Sequence, residues 1–126
     1  MVLAVIDDLM LQSRVSAAAT ASGAEIRFAR TEEAALAGAA ERPGLILLDL
    51  NGRRTDPIAF LTRVKGDAVL SRIRVVGFVS HVDTEAIEAA RAAGIDEVLA
   101  RGAFIAQLPA ILAAAPSRTP DDAVGA

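Results

Sequence analysis

Short apolar runs alternate with helically spaced segments along this chain. Residues 2–6 form a continuous apolar run, the pattern of a strand buried on both faces, and the run stops at Asp7 and Asp8. From Leu9 to Ser22 the spacing is helical, with Leu11, Val15, Ala18 and Ala19 on one side, and Gly23 stands where a helix-ending glycine belongs. Residues 25–29 predict a second short strand, with Ile26 and Phe28 alternating against charge. Thr31 is a helix N-cap, and Glu32 and Glu33 in the first turn suit the helix dipole; that helix is expected to run to about Arg42 and to end at Pro43-Gly44. Leu45 to Leu48 is the most hydrophobic strand candidate, and it ends at Asp49.

After a polar stretch from Asn51 to Thr55, Asp56-Pro57 reads as an N-cap with proline at the first helical position, opening a helix that ends near Gly66. Residues 75–79 predict a fourth strand ending at Ser80, residues 83–93 a helix closed by Gly94, and residues 97–99 a fifth strand. A last helix lies between Phe104 and Ala114, and Pro109 leaves its start open: it begins near Leu108 or is kinked there. From Pro116 onward the composition is that of a disordered tail or linker, which leaves one domain over residues 1–115. Apolar strands linked by helices imply an α/β fold with a parallel sheet covered on both faces.

Composition changes this picture in four places. Hydrophobic residues are 53% and aromatics 3%, so the expected core is aliphatic. There is no Cys, which excludes disulfides and thiolate chemistry, and the single His excludes a His-based zinc site. No apolar run reaches membrane-spanning length and the N-terminus lacks a signal-peptide pattern, so a cytoplasmic protein is expected. A net charge of −3 argues against direct nucleic-acid binding through a broad basic surface.

In open α/β sheets, sites form at the carboxyl ends of the strands. Those ends carry Asp7 and Asp8, then Asp49, then Ser80, with Arg101 just beyond the fifth strand. Carboxylates brought together in a partly dry site repel one another. A hard divalent cation such as Mg²⁺ relieves that repulsion and takes carboxylates plus waters. A phosphoryl group is the natural further ligand, and a carboxylate is itself a competent nucleophile toward it. The bland alternatives are that the aspartates are polar strand ends and helix caps, that Ser80 caps the helix after it, and that Arg101 pairs with an acid and holds the pocket closed. His81 is expected in an exposed loop, and Arg53 and Arg54 in a solvated one.

From Val2 to about Leu112 the chain resembles the receiver domain of bacterial two-component response regulators. The segments that carry the resemblance are Val5-Ile6-Asp7-Asp8, Pro43-Gly44-Leu45-Ile46-Leu47-Leu48-Asp49-Leu50, residues 75–80, and Ala93-Gly94-Ile95-Asp96-Glu97-Val98-Leu99, in order and spacing. The resemblance implies a flavodoxin-like three-layer sandwich whose five-stranded parallel sheet has the order 2-1-3-4-5. It implies Asp49 as phosphoacceptor, Asp8 binding Mg²⁺ directly with Asp7 assisting, and Asn51 lending its backbone carbonyl to the metal. Ser80 would bind the phosphoryl group and move when it arrives. The implied partners are a histidine kinase or phosphotransfer protein and a downstream protein, with a homodimer also open.

The departures concern the residues that sense phosphorylation. Arg101 stands where the family has lysine; it is longer, planar and suited to a two-pronged grip on Asp49 or Asp8. Lys65, the only lysine, is expected away from this edge. Val98 replaces the aromatic switch residue, His81 the small residue after the hydroxyl, and Arg53 and Pro57 depart from the usual proline and glycine. Two functions follow: a phosphorelay receiver with no enzymatic activity beyond slow self-phosphorylation and self-dephosphorylation, or a phosphorylation-independent pseudo-receiver used for protein interaction or dimerisation. A flavin-binding reading is disfavoured, because Asp7-Asp8 repels phosphate and the chain has no Trp or Tyr to stack the ring.

Overall fold

The computed structural model describes residues 1–116, so the expected tail over 116–126 falls, beyond its first residue, outside the described residues. Strands and helices alternate as β1 (Val2–Val5), α1 (Leu9–Ser22), β2 (Ile26–Ala29), α2 (Glu32–Ala40), β3 (Leu45–Asp49), α3 (Pro57–Gly66), a 3-10 turn (Leu70–Arg72), β4 (Arg74–Val79), α4 (Thr84–Ala92), β5 (Glu97–Ala100) and α5 (Arg101–Ala114). All strand pairs are parallel, and the sheet has the order β2-β1-β3-β4-β5. This is the flavodoxin-like arrangement the resemblance implies.

The caps expected at Thr31 and Asp56 form, and Asp8 and Asp83 cap two further helices. Asp8, Thr31, Asp56 and Asp83 each accept a backbone N–H in the first turn of α1, α2, α3 and α4. Because Asp83 caps α4, Ser80 is not the cap of that helix. Gly23 ends α1 in the left-handed region at φ 70°, which glycine adopts without steric cost.

Successive strand residues point to opposite faces, and the two faces bury two cores. Leu3, Val5, Ile46, Leu48, Val75 and Val79 share one core with Phe60, Leu61 and Val64 of α3. Val2, Ala4, Leu45, Leu47, Val76 and Phe78 share the other with Leu11 and Val15 of α1 and Phe104 and Leu108 of α5. Burying each such large side chain contributes about 1.5–3 kcal/mol. The expectation of an aliphatic core needs a correction: Phe60, Phe78 and Phe104 are fully buried, and Phe78 stacks on Phe104 with ring centroids 4.3 Å apart. A small aromatic count thus goes almost entirely to the positions of greatest volume.

The other correction is α5, which begins at Arg101 and carries Pro109 in its interior. Pro109 lies on the exposed side, where water can serve the carbonyl that loses its amide partner, while Phe104, Leu108, Ile111 and Leu112 hold the buried side.

Candidate functional site

The strand register decides what meets at the carboxyl edge. Val5 is level with Leu48, Asp49 with Phe78, and Val79 with Ala100. The residues just beyond those ends are therefore Asp7 and Asp8 on β1, Asn51 after β3, Ser80 after β4 and Arg101 after β5. The predicted set shares one edge of the sheet.

Asp49 is buried, with 6% of its surface exposed, and is the only buried polar or charged residue among those described. Its Oδ1 accepts the Asn51 amide at 2.9 Å, while Oδ2 has no protein donor among the described residues. Burial pushes its carboxyl above the ordinary range. The Asn51 amide pulls it back, the Asp7 and Asp8 charges raise it further, and Arg101 lowers it. A carboxylate this short of donors has reason to attract a cation.

The two acids after β1 are already occupied. Asp8 Oδ1 accepts the Met10 amide at 2.9 Å and the Leu11 amide at 3.2 Å, capping α1. Its Oδ2 faces Arg101 Nη1 at 3.4 Å. The Leu11 amide, with the Met10 amide and the Arg101 guanidinium behind it, holds its carboxyl below the ordinary range against the opposing effect of desolvation. Arg101 therefore pairs with Asp8, through one nitrogen rather than the expected two-pronged grip. The side chains are 34% and 41% exposed, which makes this a weak pair.

Asp7 Oδ2 accepts the Arg53 amide at 3.1 Å and the Arg54 amide at 3.0 Å. The loop after β3 is thereby tied to the end of β1, with both arginine side chains in solvent. These amides were not anticipated from the sequence, because backbone donors leave no trace in residue identity.

Asn51 contributes more than the expected backbone carbonyl. Its side-chain Oδ1 accepts the Ser80 amide at 2.7 Å. The signal that finds this contact is the register: with Asp49 opposite Phe78, two further residues bring Asn51 level with Ser80. Ser80 and His81 are both exposed. Val98 is half-buried against the core under α2, α3 and α4.

Lys65 stands apart, as expected. Its Nζ donates to the Ser71 carbonyl at 3.2 Å, the Ile73 carbonyl at 3.0 Å and Asp96 Oδ2 at 2.8 Å. Asp96 Oδ2 also accepts the Val75 amide at 2.7 Å. This cluster closes the opposite, amino-terminal end of β4 and β5.

Among the described residues no three acidic, His or Cys side chains form a ready-made metal cage. Each carboxylate here is turned toward its own protein donors. The donor set nevertheless fits a hard cation: Asp49 Oδ2 and Asp7 Oδ1 have no protein donor among the described residues, and Asp8 Oδ2 has only the 3.4 Å arginine contact to give up.

No protein-family model and no curated protein matches the chain. Solved structures do, and those compared are response-regulator receiver domains or proteins that contain them. The phosphorylated cyanobacterial phytochrome response regulator RcpA is 25% identical, with a TM-score of 0.76 over 89% of this chain and 87% of that one. The receiver domain of NtrX from Brucella abortus is 25% identical, with a TM-score of 0.74 over 88% and 93%. The receiver domain of a sensor histidine kinase from Pseudomonas aeruginosa, crystallised with a magnesium ion coordinated in its active-site cleft, shares the fold at 20% identity and a TM-score of 0.77, over 88% and 92%. The chain has the receiver fold.

Proposed function

We propose that this receiver fold works as a cytoplasmic phosphorelay receiver, accepting a phosphoryl group on Asp49 in a Mg²⁺-dependent step and then changing its affinity for a partner protein. The observation that carries the reading is Asp49 itself: buried at a strand end, one oxygen anchored by the Asn51 amide, the other without a donor among the described residues, and two more acids beside it. That combination is costly as mere structure and suited to a nucleophile.

In the proposed reaction the free oxygen of Asp49 attacks phosphorus. The bond from phosphorus to the leaving group breaks, and the leaving imidazole of a phosphohistidine, or acetate from acetyl phosphate, departs with the electron pair. The product is an acyl-phosphate. Asp7, Asp8, Asp49 and the Asn51 carbonyl would hold the Mg²⁺, whose chemistry is to neutralise charge between the attacking carboxylate and the phosphoryl oxygens. Arg101, released from Asp8, and the Ser80 hydroxyl would meet the remaining oxygens. Leu9 and Met10, 63% and 79% exposed beside Asp8, offer apolar contact to a phosphodonor protein. The domain's own activity would be limited to slow self-phosphorylation and self-dephosphorylation.

The pseudo-receiver reading draws on one observation: Asp8 is satisfied by Arg101 and the α1 amides without any metal. Incubation with acetyl phosphate and Mg²⁺, followed by intact-mass measurement, separates the two. Phosphorylation adds one phosphoryl mass that is labile to base, depends on Mg²⁺ and is lost in Asp49→Asn. No mass gain from several donors leaves the pseudo-receiver.

A further inference from the structure

Asn51 is held from two sides. Its backbone N–H donates to Asp49 Oδ1 at 2.9 Å, and its side-chain Oδ1 accepts the Ser80 amide at 2.7 Å. One residue therefore bridges the candidate phosphoacceptor and the segment that leaves β4. That segment is short. Ser80 is pinned by Asn51, Asp83 is fixed as the cap of α4 through the Ala86 amide at 3.1 Å, and only His81 and Val82 span the interval. Val82 is 87% exposed, the most exposed of the large hydrophobic residues among those described.

We infer that the Asn51 side chain, through the Ser80 backbone amide and beside the contact proposed for the Ser80 hydroxyl, carries most of the coupling from Asp49 to the Ser80–Asp83 segment, and that Val82 is presented or withdrawn through it; this rests on the phosphoacceptor reading above. The physical argument begins with the acceptor. A carboxylate is a stronger hydrogen-bond acceptor than the neutral carbonyl of an acyl-phosphate, because ionised partners make the shorter and stronger bonds. Phosphorylation moves the negative charge from the Asp49 carboxylate to the phosphoryl oxygens. The anchor on the Asn51 amide weakens, and the far end of the same residue is the acceptor for Ser80. The Asn51 side chain has few torsions between its two contacts, so displacement at one end reaches the other.

Val98 strengthens the assignment. It is a small aliphatic side chain, half-buried against the core that α2, α3 and α4 cover. It has no ring whose rotation would report on Ser80 from the β5 side. The bond from Asn51 is the only hydrogen bond to the Ser80 amide among the described residues, and it comes from the β3 side instead.

The test uses the full chain, with acetyl phosphate plus Mg²⁺ as the probe. Amide exchange and chemical shifts of Ser80, His81 and Val82 are read by NMR, and phosphoryl occupancy by intact mass. In the unphosphorylated wild type the Ser80 amide should be protected, and Asn51→Ala should speed its exchange by at least tenfold. Asn51→Asp, which keeps an acceptor oxygen, should restore most of that protection. On phosphorylation the wild-type His81 and Val82 resonances should shift. At matched phosphoryl occupancy, the shift in Asn51→Ala should be at least threefold smaller. Undiminished Ser80 protection in Asn51→Ala, or a full His81–Val82 response in that variant, overturns the coupling. If wild type gains no phosphoryl mass, the phosphoacceptor reading fails first and the coupling falls with it. A wild type that gains the mass while Asn51→Ala responds in full rejects the coupling alone.

Discussion

The two ends of the sheet each hold a basic side chain against an aspartate, and they are built in opposite ways. At the amino-terminal end, Lys65 reaches three acceptors, is 12% exposed on its side chain, and pairs with an Asp96 that also takes the Val75 amide. Every partner there has a partner. At the carboxyl end, Arg101 touches Asp8 through one nitrogen at 3.4 Å, and buried Asp49 keeps one oxygen without a donor among the described residues. Burial with complete bonding makes a structural clamp. A mostly buried carboxylate with one oxygen left to solvent is the arrangement on which the proposed site rests, because that oxygen is open to an incoming cation.

The largest effect that would break this comparison is on stability. Lys65→Met removes the ion pair and leaves the Ser71 and Ile73 carbonyls short of a donor, so the expected loss is about 2–3 kcal/mol. Arg101→Met, removing an exposed pair, should cost no more than about 0.5 kcal/mol. Urea unfolding of both variants at unchanged slope measures the difference. Equal costs would mean that the two ends are alike.

Next comes rate. Arg101→Lys weakens the hold on Asp8 and substitutes a compact charge, so phosphoryl-mass gain at Asp49 should rise about tenfold, equivalent to about 1.4 kcal/mol in the barrier. Equal and measurable rates would show that arginine already performs the task.

The smallest effect sharpens the electrostatic side. Burial raises the Asp49 carboxyl in the folded state, so the native protein binds more protons than the unfolded chain between the ordinary carboxylate range and that raised value. Stability therefore falls as pH rises through that window and is flat above it. Asp49→Asn keeps an acceptor for the Asn51 amide and removes the charge. It should be more stable than the wild type at neutral pH, with the gain shrinking in acid. Unfolding midpoints across that range check the sign.

Much of this was legible in the sequence, because strand ends and caps are written in local residue choices. The stops at Asp7-Asp8, Asp49 and Ser80, the caps Thr31 and Asp56, and the sheet order all follow from patterns within a few residues or from the resemblance they carry, whereas the cap of α4 is Asp83 and not Ser80. What was not legible depended on backbone groups and register. Asp7 finds amides of Arg53 and Arg54 far along the chain, and Asn51 finds Ser80 only because β3 and β4 are aligned as they are. Pro109 suggested a late start for α5. Packing of Phe104 and Leu108 carries the helix through it, since tertiary burial outweighs a single lost amide on a wet face.

The junction of β5 and α5 has a mechanical consequence. Ala100 is the last residue of the strand and Arg101 the first of the helix, with nothing between them. A joint without a spacer has no slack. In the proposed reaction, where Asp8 would release the guanidinium, no loop could absorb the travel, so the compliance would have to come from the arginine's own long side chain or from the helix as a body. A shorter side chain at this position would stiffen the joint, and any tug from the acidic mouth would then be passed straight to α5.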